Sequence, residues 1–213
     1  MEQPYNPLDE RNLAEALVRA LLQRDCIPLS SLERFKGVGI YALYYQGDFR
    51  LYRCLSEANK NGFNVPIYVV KASPPGFRTG LIELDSSPGA ELYKRLREHA
   101  KSIESARNLR LADFTCRYLI TSALWLALGE GLLIKQYRPL WNTVVDGFGD
   151  HVPGTNRKQG RRPEWDTLHP GRDRIGDNDL LRELLNYFAK PIVLWRAASA
   201  ARGTTAATTT GWI

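Results

Sequence analysis

Between Gly37 and Tyr45 the chain runs through nine residues without a charge, Gly37-Val38-Gly39-Ile40-Tyr41-Ala42-Leu43-Tyr44-Tyr45. A β-branched and aromatic stretch of this length reads as a strand. Tyr41, Leu43 and Tyr45 alternate with Ile40, Ala42 and Tyr44, so a phenol faces each side of it. Phenols in strands are usually packing residues. The run ends at Gln46-Gly47-Asp48, which predicts a hairpin turn into a second strand over Phe49 to Leu55. Ser56 to Val65 holds Asn59, Asn61, Gly62 and Asn64 and reads as a loop. Pro66-Ile67-Tyr68-Val69-Val70 is a further strand, closed by Ser73-Pro74-Pro75-Gly76, and Phe114 to Ile120 is another.

Helical spacing separates these strands. Leu13, Ala16, Leu17, Ala20 and Leu21 form one stripe, with Asp9 as the expected N-cap and Pro28 closing the element. Ser87 and Pro88 predict the start of a second helix, whose stripe is Leu92, Leu96, Ala100 and Ile103. Thr121 or Ser122 can cap a long apolar helix that must stop before Pro139. Val145 to Gly176 is rich in Gly, Pro, Arg and His and reads as a long loop region. Leu180 to Phe188 suggests one more helix, and the Ala/Thr-rich stretch beyond Ala197 a mobile tail. The divisions expected are residues 1–36 as an N-terminal helical region, 37–145 as the core, 146–196 as loop region and C-terminal helix, and 197–213 as tail.

Composition excludes several classes. With 44% hydrophobic and 24% charged residues the 213-residue chain is neither disordered nor fibrous, and its length suffices for one full core. The apolar stretch Leu119 to Ile134 is interrupted by Thr121, Ser122, Gly129 and Glu130, against a membrane span. Met1-Glu2-Gln3-Pro4 lacks the features of a signal peptide, and Cys26, Cys54 and Cys116 have no paired spacing, so a cytoplasmic location is expected. The net charge of +6 permits a polyanionic partner without requiring one.

Four places hold polar groups where a core or strand should not. Glu130 is the one ionisable residue between Leu119 and Ile134. It is either an exposed residue on a narrow edge with Gly129 and Gly131, or a metal ligand whose small neighbours leave room for a substrate. Arg95 and His99, one turn apart, border the stripe of the second helix, as a solvated face or as a grip for phosphate and proton. Tyr41 and Tyr68 supply phenols. Arg157, Lys158, Arg161, Arg162, Arg172 and Arg174 are interleaved with His151, Trp165 and His169, a solvated loop or a surface for phosphates and guanine edges.

Together Gly39-Ile40-Tyr41, Tyr68-Val69, Arg95, His99, Glu130 and Tyr137-Arg138-Pro139-Leu140-Trp141-Asn142 resemble the GIY-YIG nuclease superfamily. With Val144-Val145-Asp146-Gly147-Phe148-Gly149 and His169-Pro170-Gly171-Arg172, the order is similar to type II restriction endonucleases that cut the palindrome CCGCGG. The resemblance covers roughly Gly37 to Arg174. It implies an α+β fold, a three-stranded antiparallel sheet flanked by helices with long DNA-contacting loops, and hydrolysis of DNA with one Mg²⁺ per active site. It implies that Tyr41 stands beside the attacking water, Tyr68 orients water or phosphate, Arg95 holds the phosphate and His99 assists proton transfer. Glu130 would bind the metal and Asn142 brace the site, with Lys71 a further phosphate-reaching residue. Because a free tyrosine titrates near pH 10, Lys71, His99, Arg95 or the metal is expected to lower the Tyr41 pKa, or His99 to take its proton. Duplex palindromic DNA bound by a homodimer is the implied partner, with Lys71, Arg78 and the six loop cations as DNA contacts. Val70 stands where the family has glycine. The alternatives are therefore a catalytically impaired DNA-binding module, or a structure-specific or homing nuclease of the same superfamily.

Overall fold

The computed structural model describes residues 6, 8–77, 89–149 and 162–172. Helix α1 (Glu10–Leu22) begins at Asp9, whose carboxylate accepts the Arg11 amide at 2.9 Å, and buries Ala14, Val18 and Leu21. Strand β1 is only Ile27–Pro28, followed by a single 3₁₀ turn over Leu29–Ser31. Strand β2 (Gly39–Tyr45) is buried along its whole length. A 3₁₀ turn over Arg50–Tyr52 leads into α2 (Arg53–Asn59), and β3 (Tyr68–Ala72) follows. Then come α3 (Glu91–Ser105), β4 (Phe114–Ile120), α4 (Leu126–Tyr137), α5 (Leu140–Thr143) and α6 (Glu164–Leu168).

The sheet is antiparallel in the order β1-β4-β2-β3. The three long strands are those implied by the resemblance, and β1 adds a two-residue edge through Ile27 opposite Cys116. The expected strand over Phe49 to Leu55 does not form. Both edges of β2 are taken by β3 and β4, so no ladder position is left for it. The segment instead buries Tyr52, Leu55 and Asn59, a helical spacing, and Asn59 secures the turn by accepting the amides of Asn64 and Val65 at 3.0 and 2.9 Å.

Helix α3 is described from Glu91, with Ala90 as its N-cap; the helical start expected at Ser87 and Pro88 lies outside the described residues. Ser122 does cap its element, accepting the Leu124 amide at 3.4 Å, but one 3₁₀ turn precedes α4. Arg138, with φ 44°, ends α4 immediately before Pro139. Within the expected long loop, Glu164–Leu168 is helical and carries the buried Trp165 and Leu168. The expected helix over Leu180 to Phe188 and the tail lie outside the described residues.

Strand alternation divides the core into two layers. Tyr41, Leu43, Tyr45 and Tyr68 face α3, α5 and α6, with Leu92, Leu96, Ala100, Ile103, Trp141, Phe148 and Trp165. Ile40, Ala42, Tyr44 and Val69 face α1 and α4, with Val18, Leu21, Leu126 and Leu133. At Gly129 a Cβ would come within 2.8 Å of Ile40 Cδ1, so glycine there lets α4 lie close to the sheet. No described helix is long and apolar enough to cross a membrane.

Candidate active site

Register places Tyr41, the third residue of β2, opposite Val70 on β3 and Tyr118 on β4. Tyr41 and Tyr68 share the face that α3 covers. Helical spacing on α3 brings His99 to them: its ring centroid lies 5.8 Å from Tyr41 and 5.3 Å from Tyr68. His99 is 2% exposed, so this is no solvated helix face. Phe148 closes the group, stacked on His99 at 4.5 Å with a 20° interplanar angle and edge-on to Tyr68 at 5.0 Å. Arg95, one turn before His99, donates to the Gly149 carbonyl at 2.8 Å. A Cβ at Gly149 would overlap the Tyr68 hydroxyl, so the backbone passes this close only as glycine.

The Tyr41 hydroxyl is fully buried. Burial holds its pKa well above the ordinary tyrosine range, Tyr68 adds to the rise, and the Arg95 guanidinium opposes it without prevailing. The lowering expected from Arg95 is present, but burial outweighs it. Lys71 is not among the neighbours: it pairs with Ile40 in the register, so its side chain points to the opposite face. Tyr41 is a neutral hydroxyl here, suited to orienting a water or an oxyanion rather than to acting as phenolate.

Glu130 and Asn142 sit along the outer edge of β3. Asn142 accepts the Val69 amide at 2.8 Å and donates to the Val69 carbonyl at 2.7 Å, occupying both outward groups of that residue. Glu130 accepts the Lys71 amide at 3.0 Å through one oxygen and the Lys71 ammonium through the other. With its side chain 15% exposed, Glu130 is not the solvated edge residue of the simpler reading. Its carboxylate meets the Val70–Lys71 peptide, at the level of the Tyr41–Val70 pair, so the edge of β3 separates it from the tyrosine cluster by about one strand spacing. Two polar side chains thereby satisfy an edge that is otherwise open to pairing.

The model of the Eco29kI GIY-YIG domain matches residues 33–183. The chain belongs to this family of GIY-YIG restriction endonucleases. No curated protein was found to match the chain. In this GIY-YIG chain the first tripeptide opens β2 and the second begins β3, while the other four motif residues arrive from α3, α4 and α5. Val70 continues the β2–β3 ladder in regular register, and Arg138 is the one non-glycine with positive φ among the described residues. Backbone conformation therefore imposes no need for glycine at position 70, and the valine side chain packs against the tyrosine-bearing layer.

Several expected DNA contacts fall elsewhere. Arg172, expected as a DNA contact, is engaged within the chain: it forks onto Asp166, at 2.5 and 2.8 Å, and lies over the Trp165 ring at 4.3 Å. Its loop folds inward because Trp165, Leu168 and His169 are all buried. His169 is buried in a directed chain: Trp141 Nε1 donates to the Tyr52 hydroxyl at 2.9 Å and Tyr52 to His169 Nε2 at 2.5 Å. His169 Nδ1 then donates to Asn108 Oδ1 at 2.9 Å and Asn108 to the Leu168 carbonyl at 2.9 Å. Because Asn108 uses its amide nitrogen on Leu168, its oxygen must accept, which assigns the tautomer. Arg162 is half-buried beside α6. Arg78, Arg157, Lys158, Arg161 and Arg174 lie outside the described residues. Phe148 and Gly149 entered the sequence reading only within a matching hexapeptide; their signal was an aromatic flanked by two glycines, without a role to attach to it.

Proposed function

We propose that this chain is a type II restriction endonuclease that hydrolyses both strands of duplex DNA at a short palindromic, GC-rich site, CCGCGG by resemblance. The observation that carries this reading is the assembly of Tyr41, Tyr68, Arg95 and His99 around one point of the sheet, with Glu130 across the edge of β3. The Arg95 guanidinium, held through Nη2 by the Gly149 carbonyl, grips the scissile phosphate with its remaining N–H groups. The neutral Tyr41 hydroxyl and the hydroxyl of Tyr68 orient the attacking water. As the new P–O bond forms and the bond to the leaving oxygen breaks, His99 takes up or delivers the proton.

A Mg²⁺ ion fits Glu130. The carboxylate is a hard oxygen donor, and one of its oxygens already holds a cation, the Lys71 ammonium. One carboxylate completed by phosphate and waters is an ordinary Mg²⁺ set, and among the described residues no cluster of three ligands competes with it. When bound there, the ion supplies Lewis-acid stabilisation of the charge on the reacting phosphate. Lys71 must then swing from Glu130, free to reach phosphate.

A palindrome is matched by twofold protein symmetry, so a homodimer gives each active site one strand. Arg78, Arg157, Lys158, Arg161, Arg162 and Arg174 remain the proposed duplex contacts, acting on DNA in a prokaryotic cytoplasm. The test is a plasmid with a single CCGCGG site, incubated with the full chain and Mg²⁺ or with EDTA, followed by sequencing of the ends. A linear product with ends inside that site is expected with Mg²⁺ alone. An uncut plasmid sinks the nuclease reading, and cleavage at long asymmetric or branched sites replaces it with the homing or repair reading.

A further inference from the structure

Three successive carbonyl oxygens, those of Gly147, Phe148 and Gly149, each accept from an arginine. Arg172 donates from Nη2 to Gly147 at 3.0 Å and from Nη1 to Phe148 at 3.1 Å, and Arg95 donates from Nη2 to Gly149 at 2.8 Å. The two arginines differ in what compensates them. Arg172, with its side chain 11% exposed, is paired to an Asp166 side chain that is entirely buried, and it reaches Ser102 of α3 at 3.5 Å. Separating such a pair leaves a buried charge uncompensated, so Arg172 is a fixed point of the fold. Arg95 is 22% exposed and meets the half-exposed Glu98 at 3.4 Å, a weak surface pairing by comparison.

We infer that Arg172 is a positioning residue for the cleavage site. Anchored on Asp166, it fixes the Gly147 and Phe148 carbonyls. The Gly149 carbonyl then holds Arg95 beside Tyr68, and the Phe148 ring holds the His99 imidazole by stacking. Gly147, at φ 95°, gives the strap its sharp turn, and a Cβ there would overlap Pro163 ahead of α6. Only a planar guanidinium can serve a bidentate carboxylate and two carbonyls together; an ammonium cannot reproduce that fork. The inference rests on the assignment of Tyr41, Tyr68, Arg95 and His99 as the cleavage site.

The test compares Arg172→Lys, Arg95→Lys and the double variant in the full chain, with kcat and KM measured on the cognate plasmid well below each variant's melting temperature. For Arg172→Lys we expect kcat to fall about a hundredfold with KM little changed, the cost of misplacing a reacting constellation by about an ångström. In the Arg95→Lys background the same change is expected to cost clearly less than in the wild type, because part of its effect runs through the Arg95 guanidinium and only the part through His99 remains. A folded Arg172→Lys protein with wild-type kcat, or losses that multiply in the double variant, would overturn the inference. Hydrogen exchange over residues 145–149 tests it without any activity. Faster exchange in that strap with α3 unchanged is expected, and unchanged strap exchange overturns the inference. An inactive wild-type chain with the expected exchange result would sink the nuclease reading and leave the strap in place.

Discussion

On one side of the sheet β2 turns Tyr41, Leu43 and Tyr45 toward α3, and on the other it turns Ile40, Ala42 and Tyr44 toward α1 and α4. The α3 side is aromatic and laced with polar groups: His99 stacks on Phe148, Tyr52 bridges Trp141 and His169, and Arg172 lies on Trp165. The α4 side is largely aliphatic, and Glu130 reaches out of it only at the edge of β3. Rings with polar tips can hold a directional network that aliphatic side chains cannot, so the layer proposed to carry the chemistry is also the layer with fixed side-chain orientation. The aliphatic layer supplies burial and places one carboxylate.

That contrast can be broken by mutation. The largest effect is expected from Glu130→Ala, with cleavage falling about a thousandfold or more, since the several kcal/mol contributed by a bound divalent cation would be lost; plasmid digestion with Mg²⁺ titration measures it, and undiminished cleavage would remove Glu130 from the mechanism. Next is Leu133→Ala in the aliphatic layer, where we expect a loss of about 2–5 kcal/mol in denaturant unfolding with kcat per folded molecule unchanged. Tyr41→Phe should do the reverse. Deleting a buried hydroxyl whose polar neighbour is the Arg95 guanidinium, outside strict hydrogen-bond geometry, should change stability by less than about 1 kcal/mol, while cleavage drops about a hundredfold. Equal stability losses at Leu133 and Tyr41 would erase the distinction between the layers.

A smaller effect concerns pH. Burial, aided by Arg172, lowers the His169 pKa from 6.5 to about 3. The native imidazole stays neutral while the unfolded one binds a proton, so its contribution to stability is complete above pH 6.5 and is lost as pH falls from there toward 3. The expected slope is about 1.4 kcal/mol per pH unit within that window. His169→Gln should flatten it in urea unfolding series; an unchanged slope would place the acid sensitivity elsewhere. The smallest effect is at Gly131, an exposed helical glycine whose added Cβ would meet nothing within 4 Å among the described residues. Gly131→Ala should raise stability by about 1 kcal/mol in the same assay.

Much of this architecture was legible from local pattern. The period-two run from Gly39 to Tyr45, the stripe Leu92, Leu96, Ala100 and Ile103, the Asp9 cap and the stop before Pro139 are written in short-range spacing. The segment Phe49 to Leu55 was misread because a glycine after an aromatic strand looks like a hairpin, and only the occupation of both edges of β2 shows that no partner was available. The inward pairing of Arg172 was not legible for a related reason: a guanidinium among loop residues looks the same whether solvent or Asp166 receives it.

By itself the sequence determined which residues alternate across the strands, which face of each helix is apolar and which six motif side chains are present, because these depend on neighbours a few positions away. The tertiary structure alone decided that Glu130 reaches the Lys71 amide across 59 positions and Asn142 the Val69 backbone across 73, and that Arg172 turns inward. It also decided that the Tyr41 phenol titrates above its ordinary range rather than below it. Burial and the direction of a charge–charge contact belong to the packed chain as a whole, and desolvation, which outweighs the nearby Arg95 at Tyr41, has no counterpart in residue order.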